Sequence, residues 1–209
     1  VVNSIAYKGG YLAVAIEASP KTDNGFVALY DATTLDLLGS AQVGAQPDML
    51  AFSPDGKYLL TANEGEPSND YSVDPVGSIS ILSLTDDEIV EVRTATFSSF
   101  NARRDELIQA GVRIFGPNAS VEQDLEPEYI AISEDSSTAW VALQENNALA
   151  KIDIASATVT EILPLGYKDH GVAGNGIDAS DEDGEINITT WPGVLGMYQP
   201  DAIAAYSAG

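Results

Sequence analysis

One repeated string constrains this chain more than anything else in it. Pro47-Asp48-Met49-Leu50-Ala51-Phe52-Ser53-Pro54-Asp55-Gly56-Lys57 returns as Pro127-Glu128-Tyr129-Ile130-Ala131-Ile132-Ser133 and again as Pro200-Asp201-Ala202-Ile203-Ala204. A degenerate copy, Val2-Asn3-Ser4-Ile5-Ala6-Tyr7, stands at the N-terminus. Behind each start, β-branched and alternating segments separated by turn residues predict short strands. The first copy predicts strands at about Val2 to Tyr7, Tyr11 to Glu17, Gly25 to Asp31 and Leu35 to Val43. The second predicts Asp48 to Phe52, Lys57 to Asn63, Gly77 to Leu84 and Glu88 to Phe97, and the third Glu128 to Ser133, Thr138 to Gln144, Ala148 to Ile154 and Thr158 to Leu163. Four strands per repeat is the content of one blade, so the expected class is all-β, a β-propeller of four-stranded antiparallel blades.

The expected organisation is a partial propeller domain over 1–209, with blade 1 at about 1–44 and blade 2 at about 45–98. A helical insertion follows at 98–126, then blade 3 at 127–164, an acidic insertion at 165–199 and the start of a fourth blade at 200–209. Gly and Asp in the tight hairpins, as in Pro54-Asp55-Gly56, serve turn geometry. The long insertions Gly65 to Val76, Ser98 to Glu126 and Pro164 to Gln199 fall at connections that leave an up-and-down blade on one rim, opposite the hairpins. In the second of these, Asn101 is placed to cap one short helix over Ala102 to Ala110 and Gly111 to end it. Arg103 and Arg104 are expected to be solvated or paired with acids.

Charge then narrows the partners. With 32 acidic and 9 basic residues the net charge is -23, which opposes nucleic acid and anionic lipid and favours cations. A solvated, salt-adapted surface is the other account of the same charge. The absence of cysteine excludes disulfides and thiolate chemistry. No apolar run approaches the roughly 20 residues that span a bilayer, so no membrane insertion is expected.

Aligning the copies puts Glu17, Glu64 and Gln144 at the end of the second strand and Asp48, Glu128 and Asp201 at the start of the innermost one. Both positions map to the insertion-bearing rim. Carboxylates that converge repel unless a cation, a proton or hydrogen bonds compensate them. Oxygen ligands with no cysteine and one histidine favour Ca²⁺, with Mg²⁺ or another divalent metal next. The candidate ligands are Glu17, Glu64, Glu66, Asp70, Glu128, Glu145, Asp178, Asp181 and Asp183, each of which could instead cap a strand or accept backbone N–H bonds. Glu64, Glu66 and Asp70 belong to Asn63-Glu64-Gly65-Glu66-Pro67-Ser68-Asn69-Asp70-Tyr71, which reads as a binding loop. Asp178 to Ile186 invites comparison with an EF-hand, but the register fails at Ala179 and Thr190, leaving a nonstandard calcium loop or a plain acidic turn. His170, the single histidine, is the candidate proton donor.

The strings Ala62 to Ile81 (ANEGEPSNDYSVDPVGSISI), Gly111 to Ser133 (GVRIFGPNASVEQDLEPEYIAIS), Val141 to Ile154 (VALQENNALAKIDI) and Gly174 to Tyr206 resemble the choice-of-anchor I family. Its members are secreted or surface-tethered propellers, many labelled alkaline-phosphatase-like, and the family is similar to cell-surface glycoproteins of biomineralising animals. The resemblance implies a secreted or cell-surface protein with metal-dependent phosphoester hydrolysis, or a non-catalytic calcium-binding adhesion or scaffold module. It also implies a ring of about seven blades. Three blades and the start of a fourth would then be a part of the ring, needing the remaining blades or another chain to close it.

Overall fold

A computed structural model describes residues 1–85 and 88–208; Gly209, where the fourth copy of the repeat stops, lies outside the described residues with Asp86 and Asp87. Three four-stranded antiparallel sheets follow one another along the chain. The first holds β1 (Val2–Lys8), β2 (Tyr11–Ile16), β3 (Asn24–Asp31) and β4 (Leu37–Ala45). The second holds β5 (Pro47–Phe52), β6 (Tyr58–Asn63), β7 (Ser78–Thr85) and β8 (Glu88–Thr96). The third holds β9 (Pro127–Ile132), β10 (Thr138–Leu143), β11 (Ala148–Asp153) and β12 (Thr158–Pro164). Within each sheet the strands lie side by side in chain order, and β1, β5 and β9 are neighbours across the sheets. These are β-propeller blades, fanned about their innermost strands.

Strand alternation builds the core between blades. Along β6, Leu59 points to blade 1, where it joins Ala13, Ala15, Val27 and Leu29, whereas Leu60 points to blade 3 with Ile79 and Ile81. Each fully buried Leu or Ile contributes on the order of 1.5–3 kcal/mol by leaving water. Blade 2 is therefore apolar on both faces. Blade 1 buries only one, and Ile5 and Tyr7 on its outer face stay exposed. On the hairpin rim, Asp55 N–H donates to Ser136 Oγ at 3.0 Å and joins blades 2 and 3.

The predicted strands form, with β4 beginning later than expected. Asp31 Oδ1 accepts from Thr33 and Thr34 N–H and holds a turn in which Leu35 adopts φ 61°, so pairing resumes only at Leu37. The helical insertion contains a 3₁₀ turn (Ser98–Arg103), α1 (Arg104–Ala110) and a second, one-turn helix, α2 (Val121–Asp124). Gly111 ends α1 at φ 106°. Asn101 does not cap α1. Its amide is taken by α2 instead, donating to Glu122 Oε1 and accepting from Glu122 N–H, both at 3.0 Å. Arg103 pairs with Glu106.

The acidic insertion carries a small hairpin of β13 (Tyr167–Asp169) and β14 (Leu195–Met197). The described residues from 200 on form no strand. They run along blade 3, with Asp201 bonded to Gln144 and Ser207 to Glu134. The three insertions meet on one rim: Gly77 N–H reaches Glu122 O at 2.9 Å, and Tyr167 Oη reaches Gly111 O at 3.2 Å. Among the described residues no helix is long and apolar enough to cross a membrane.

Candidate functional site

Two strand positions per blade generate the rim. Glu17, Glu64 and Gln144 each follow the last pair between a second strand and its innermost neighbour, Ile16 with Val2, Asn63 with Pro47 and Leu143 with Pro127. The same residues face the start of the next blade's innermost strand. Burial and then the charge of Glu17 push the Asp48 carboxyl up. In the third copy, where an amide replaces the acid, Gln144 Nε2 donates to Asp201 instead. At the first blade, Asn3 donates to Glu17 Oε2 at 3.2 Å and to Pro47 O at 3.1 Å.

The acids concentrate between blades 2 and 3. Burial raises Glu64 to about 7, helped by Glu66 and Asp48 and partly opposed by Lys21. Burial also pushes Glu66 up, but the hydrogen bonds from Lys21 and Gln46, with the Lys21 charge, outweigh it and leave this carboxyl below its ordinary range. Gln46, 8% exposed and at φ 50°, aims its amide at both acids and leaves Oε1 buried without a partner. Such a left-handed conformation costs about 1–3 kcal/mol outside glycine. Glu128 is raised by burial, then by the charge of Glu145 and a carboxyl-to-carboxyl hydrogen bond with it. Glu145 Oε2 is otherwise buried and unpartnered.

One member of this cluster escaped the sequence reading. Glu126 is only 6% exposed, and among the described residues no hydrogen bond reaches its carboxyl group. Burial, followed by the charges of Glu64, Glu145, Glu66 and Asp124, raises it to about 8. Its backbone is held by Asn146, whose Oδ1 accepts from Glu126 N–H at 3.0 Å and whose Nδ2 donates to the Arg113 and Asp124 carbonyls. The signal was present in the repeat: Glu126, Gln46 and Gln199 all directly precede the repeat proline.

The structure brings together Glu17 with Asp48, and Glu64, Glu66, Glu128 and Glu145 with one another. The remaining candidates stand elsewhere. Asp70 accepts from Ser72 and Ser68 within its own loop, bonds that lower it to about 2. Asp178 accepts from Ser180 and Asn187 N–H, Asp183 accepts from Glu185 N–H, and Asp181 is exposed beside them. His170 Nδ1 lies 2.7 Å from Asn175 O, and its Nε2 packs at Gly196, both inside its own insertion. Among the described residues no three His, Asp or Glu side chains are gathered around one ion position. Carboxyl groups without a counter-charge between them keep apart or hold protons.

No curated protein matches this chain. Similar solved structures include hydrazine synthase from Kuenenia stuttgartiensis, at 12% identity and a TM-score of 0.51, over 78% of this chain and 49% of that one. A β-propeller domain from Myceliophteria thermophila gives 13% identity and a TM-score of 0.48, over 78% of this chain and 40% of that one. The β-propeller domain of the Trilobed protease from Pyrococcus furiosus gives 13% and 0.46, over 78% and 41%. The chain thus spans no more than about half the length of these structures, and a likeness at such identity concerns fold alone. The whole described chain, in contrast, fits one family: the choice-of-anchor I domain profile matches residues 1–209, and the chain belongs to the choice-of-anchor I domain family.

Proposed function

We propose that this propeller is a surface-displayed module that holds a divalent cation at its insertion-bearing rim and acts by binding. The observation that carries the reading is the Glu128–Glu145 pair, two carboxyl groups in hydrogen-bonding contact with Glu145 Oε2 buried and unpartnered. Two such groups need a shared proton or a cation between them. Glu64 and Gln46 Oε1 supply further oxygen donors, a set suited to Ca²⁺, which accepts irregular shells completed by water. Glu17 and Asp48 make a smaller acidic pair one blade earlier.

Calorimetric titration of the chain with Ca²⁺ and then Mg²⁺ tests this. We expect Ca²⁺ binding at about 10⁻⁴ to 10⁻³ M, the range of extracellular modules, weakened in a Glu128→Gln, Glu145→Gln double variant. Binding that the double variant leaves unchanged sinks the rim assignment.

A second reading, phosphoester hydrolysis, is favoured by one observation: Glu126 and Glu128 keep protons near neutral pH, as a general acid must. Against it, the His170 ring is engaged inside its own insertion, by Asn175 O and at Gly196. A chromogenic phosphomonoester assay with and without chelator separates the two. No turnover is expected, and metal-dependent turnover abolished by Glu128→Gln would establish the hydrolytic reading instead.

A further inference from the structure

Blade 2 meets its two neighbours through faces of different chemistry. When the pairs Asn63 with Pro47 and Leu143 with Pro127 are set in register, Thr61, Asn63, Ser78 and Ser80 of blade 2 stand where blade 3 carries Val141, Leu143, Ala148 and Ala150. The four apolar residues pack against blade 2 in the core. The four polar ones, at most 3% exposed, share the face of Leu59 and turn to blade 1. An added Cβ at Gly44 of blade 1 would lie 2.7 Å from Ser78 Oγ and 2.8 Å from Asn63 Cβ. Asn63 Nδ2 donates to Ser78 Oγ at 3.1 Å and to Ser80 Oγ at 2.9 Å, and its Oδ1 is buried without a partner. Buried polar groups cost stability unless they are bonded, so packing alone does not account for this lattice.

The lattice ends at a cavity of about 290 Å³ between blades 1 and 2. Ser78 and Thr94 line it from blade 2, Asn24 and Gln42 from blade 1, and Val43 and Val76 are among its apolar walls. Val76 closes the loop 65–76, which puts the cavity on the insertion-bearing rim. The helical insertion explains why its counterpart one junction later is filled: α1 lies against β12, and Phe100 and Leu107 join the core there. Between blades 1 and 2, β4 passes through Gln46 alone into β5. Among the described residues no hydrogen bond reaches the side chains of Asn24, Gln42 or Thr94, and the Ser78 hydroxyl, which accepts from Asn63, keeps its own proton to donate. No charged residue lines the cavity.

We propose that this cavity binds one unit of a neutral sugar. Its volume is that of about ten waters, at the lower edge of small-molecule sites and enough for a single hexose ring. Hydroxyl and amide groups both donate and accept, as the hydroxyls around a sugar ring do, and the valines offer its C–H face an apolar wall. Other ligand classes fit less well. A cation finds no carboxylate on the lining, an anion meets a chain of net charge -23, and an apolar ligand would leave the amides and hydroxyls unpaired. The site goes beyond the rim cation and does not depend on it.

Saturation-transfer NMR on the full chain tests this, with glucose, galactose, mannose and N-acetylglucosamine as probes. Transfer to at least one of them is expected, with a Kd of roughly 1 mM for so small a ligand. A Gln42→Leu, Thr94→Val double variant alters only exposed side chains, so its thermal melt should stay as in the parent while affinity falls about tenfold through two lost hydrogen bonds. Thr94→Ser keeps the hydroxyl and should keep the binding. Methyl glycosides that bind as well as the free sugars would assign the site to the end of a glycan chain, and preference for the free sugars to a soluble sugar; either upholds it. Chelator should change nothing, so failure of the rim reading leaves this site standing. No transfer to any probe, transfer that chelator abolishes, or affinity that the double variant leaves unchanged overturns the proposal.

Discussion

At Gly77 an added Cβ would lie 1.9 Å from the Leu125 carbonyl oxygen and 2.8 Å from Pro127 Cδ. At Gly25 it would lie 2.5 Å from Pro47 Cδ and 2.6 Å from the Ile16 carbonyl oxygen. Pro47 and Pro127, which open the second and third blades, therefore each pack on a glycine just before or within the third strand of the preceding blade, and these contacts keep neighbouring blades at touching distance. Gly77→Ala should destabilise the protein by about 1–3 kcal/mol or more, the cost of overpacking against backbone, read as a lower urea midpoint with unchanged slope. The proline and its acid were legible because they recur as a string. Their glycine partners were not, since Gly25–Pro47 and Gly77–Pro127 are separated by different lengths of chain, the second containing the helical insertion. Glu126 was overlooked for a related reason: its neutral counterparts Gln46 and Gln199 hide the equivalence, although both glutamines share left-handed backbone, at φ 50° and 39°.

The insertions show where element-level reading succeeds and where it stops. Strand order and hairpin turns follow from local alternation and from Gly, Asp and Ser at the bends, and these were readable without the fold. The end of α1 at Gly111 is equally local. The use of Asn101 is not, because Glu122 competes for its amide from a helix that only tertiary packing brings near. The helical insertion is more than a surface lid: Leu107, Phe100, Val112 and Leu125 join the apolar core between blades 2 and 3. Leu107, 4% exposed, is the core-facing residue of α1, whereas Ile108 is 40% exposed. Leu107→Ala should accordingly cost about 2–5 kcal/mol and Ile108→Ala far less, a contrast that paired thermal melts will show. Equal losses at the two positions would mean that α1 packs differently.

For the molecule as a whole, the rim makes stability depend on pH in the direction opposite to ordinary acid denaturation. Glu64 at about 7 and Glu126 at about 8 bind protons more tightly than in the unfolded chain. The folded state thus carries extra protons between about pH 5 and pH 8, and unfolding free energy falls as pH rises through that window. Below it both states are protonated and the contribution is complete. Asp55, lowered to about 2, acts with the opposite sign and only in strong acid. Metal-free protein should show a urea midpoint that declines from about pH 5 to pH 8, a decline that Glu126→Gln flattens and millimolar Ca²⁺ suppresses; a midpoint that rises across this range would refute the picture. The blade steps carry one more implication. Glu17 meets Asp48, Glu64 meets Glu128 and Gln144 meets Asp201, so each such contact belongs to no single repeat and exists only where one repeat meets the start of the next. Duplication of one blade would add one complete junction, and a single codon at the end of its second strand would decide whether that junction sets two acids against each other or closes as an amide–carboxylate hydrogen bond.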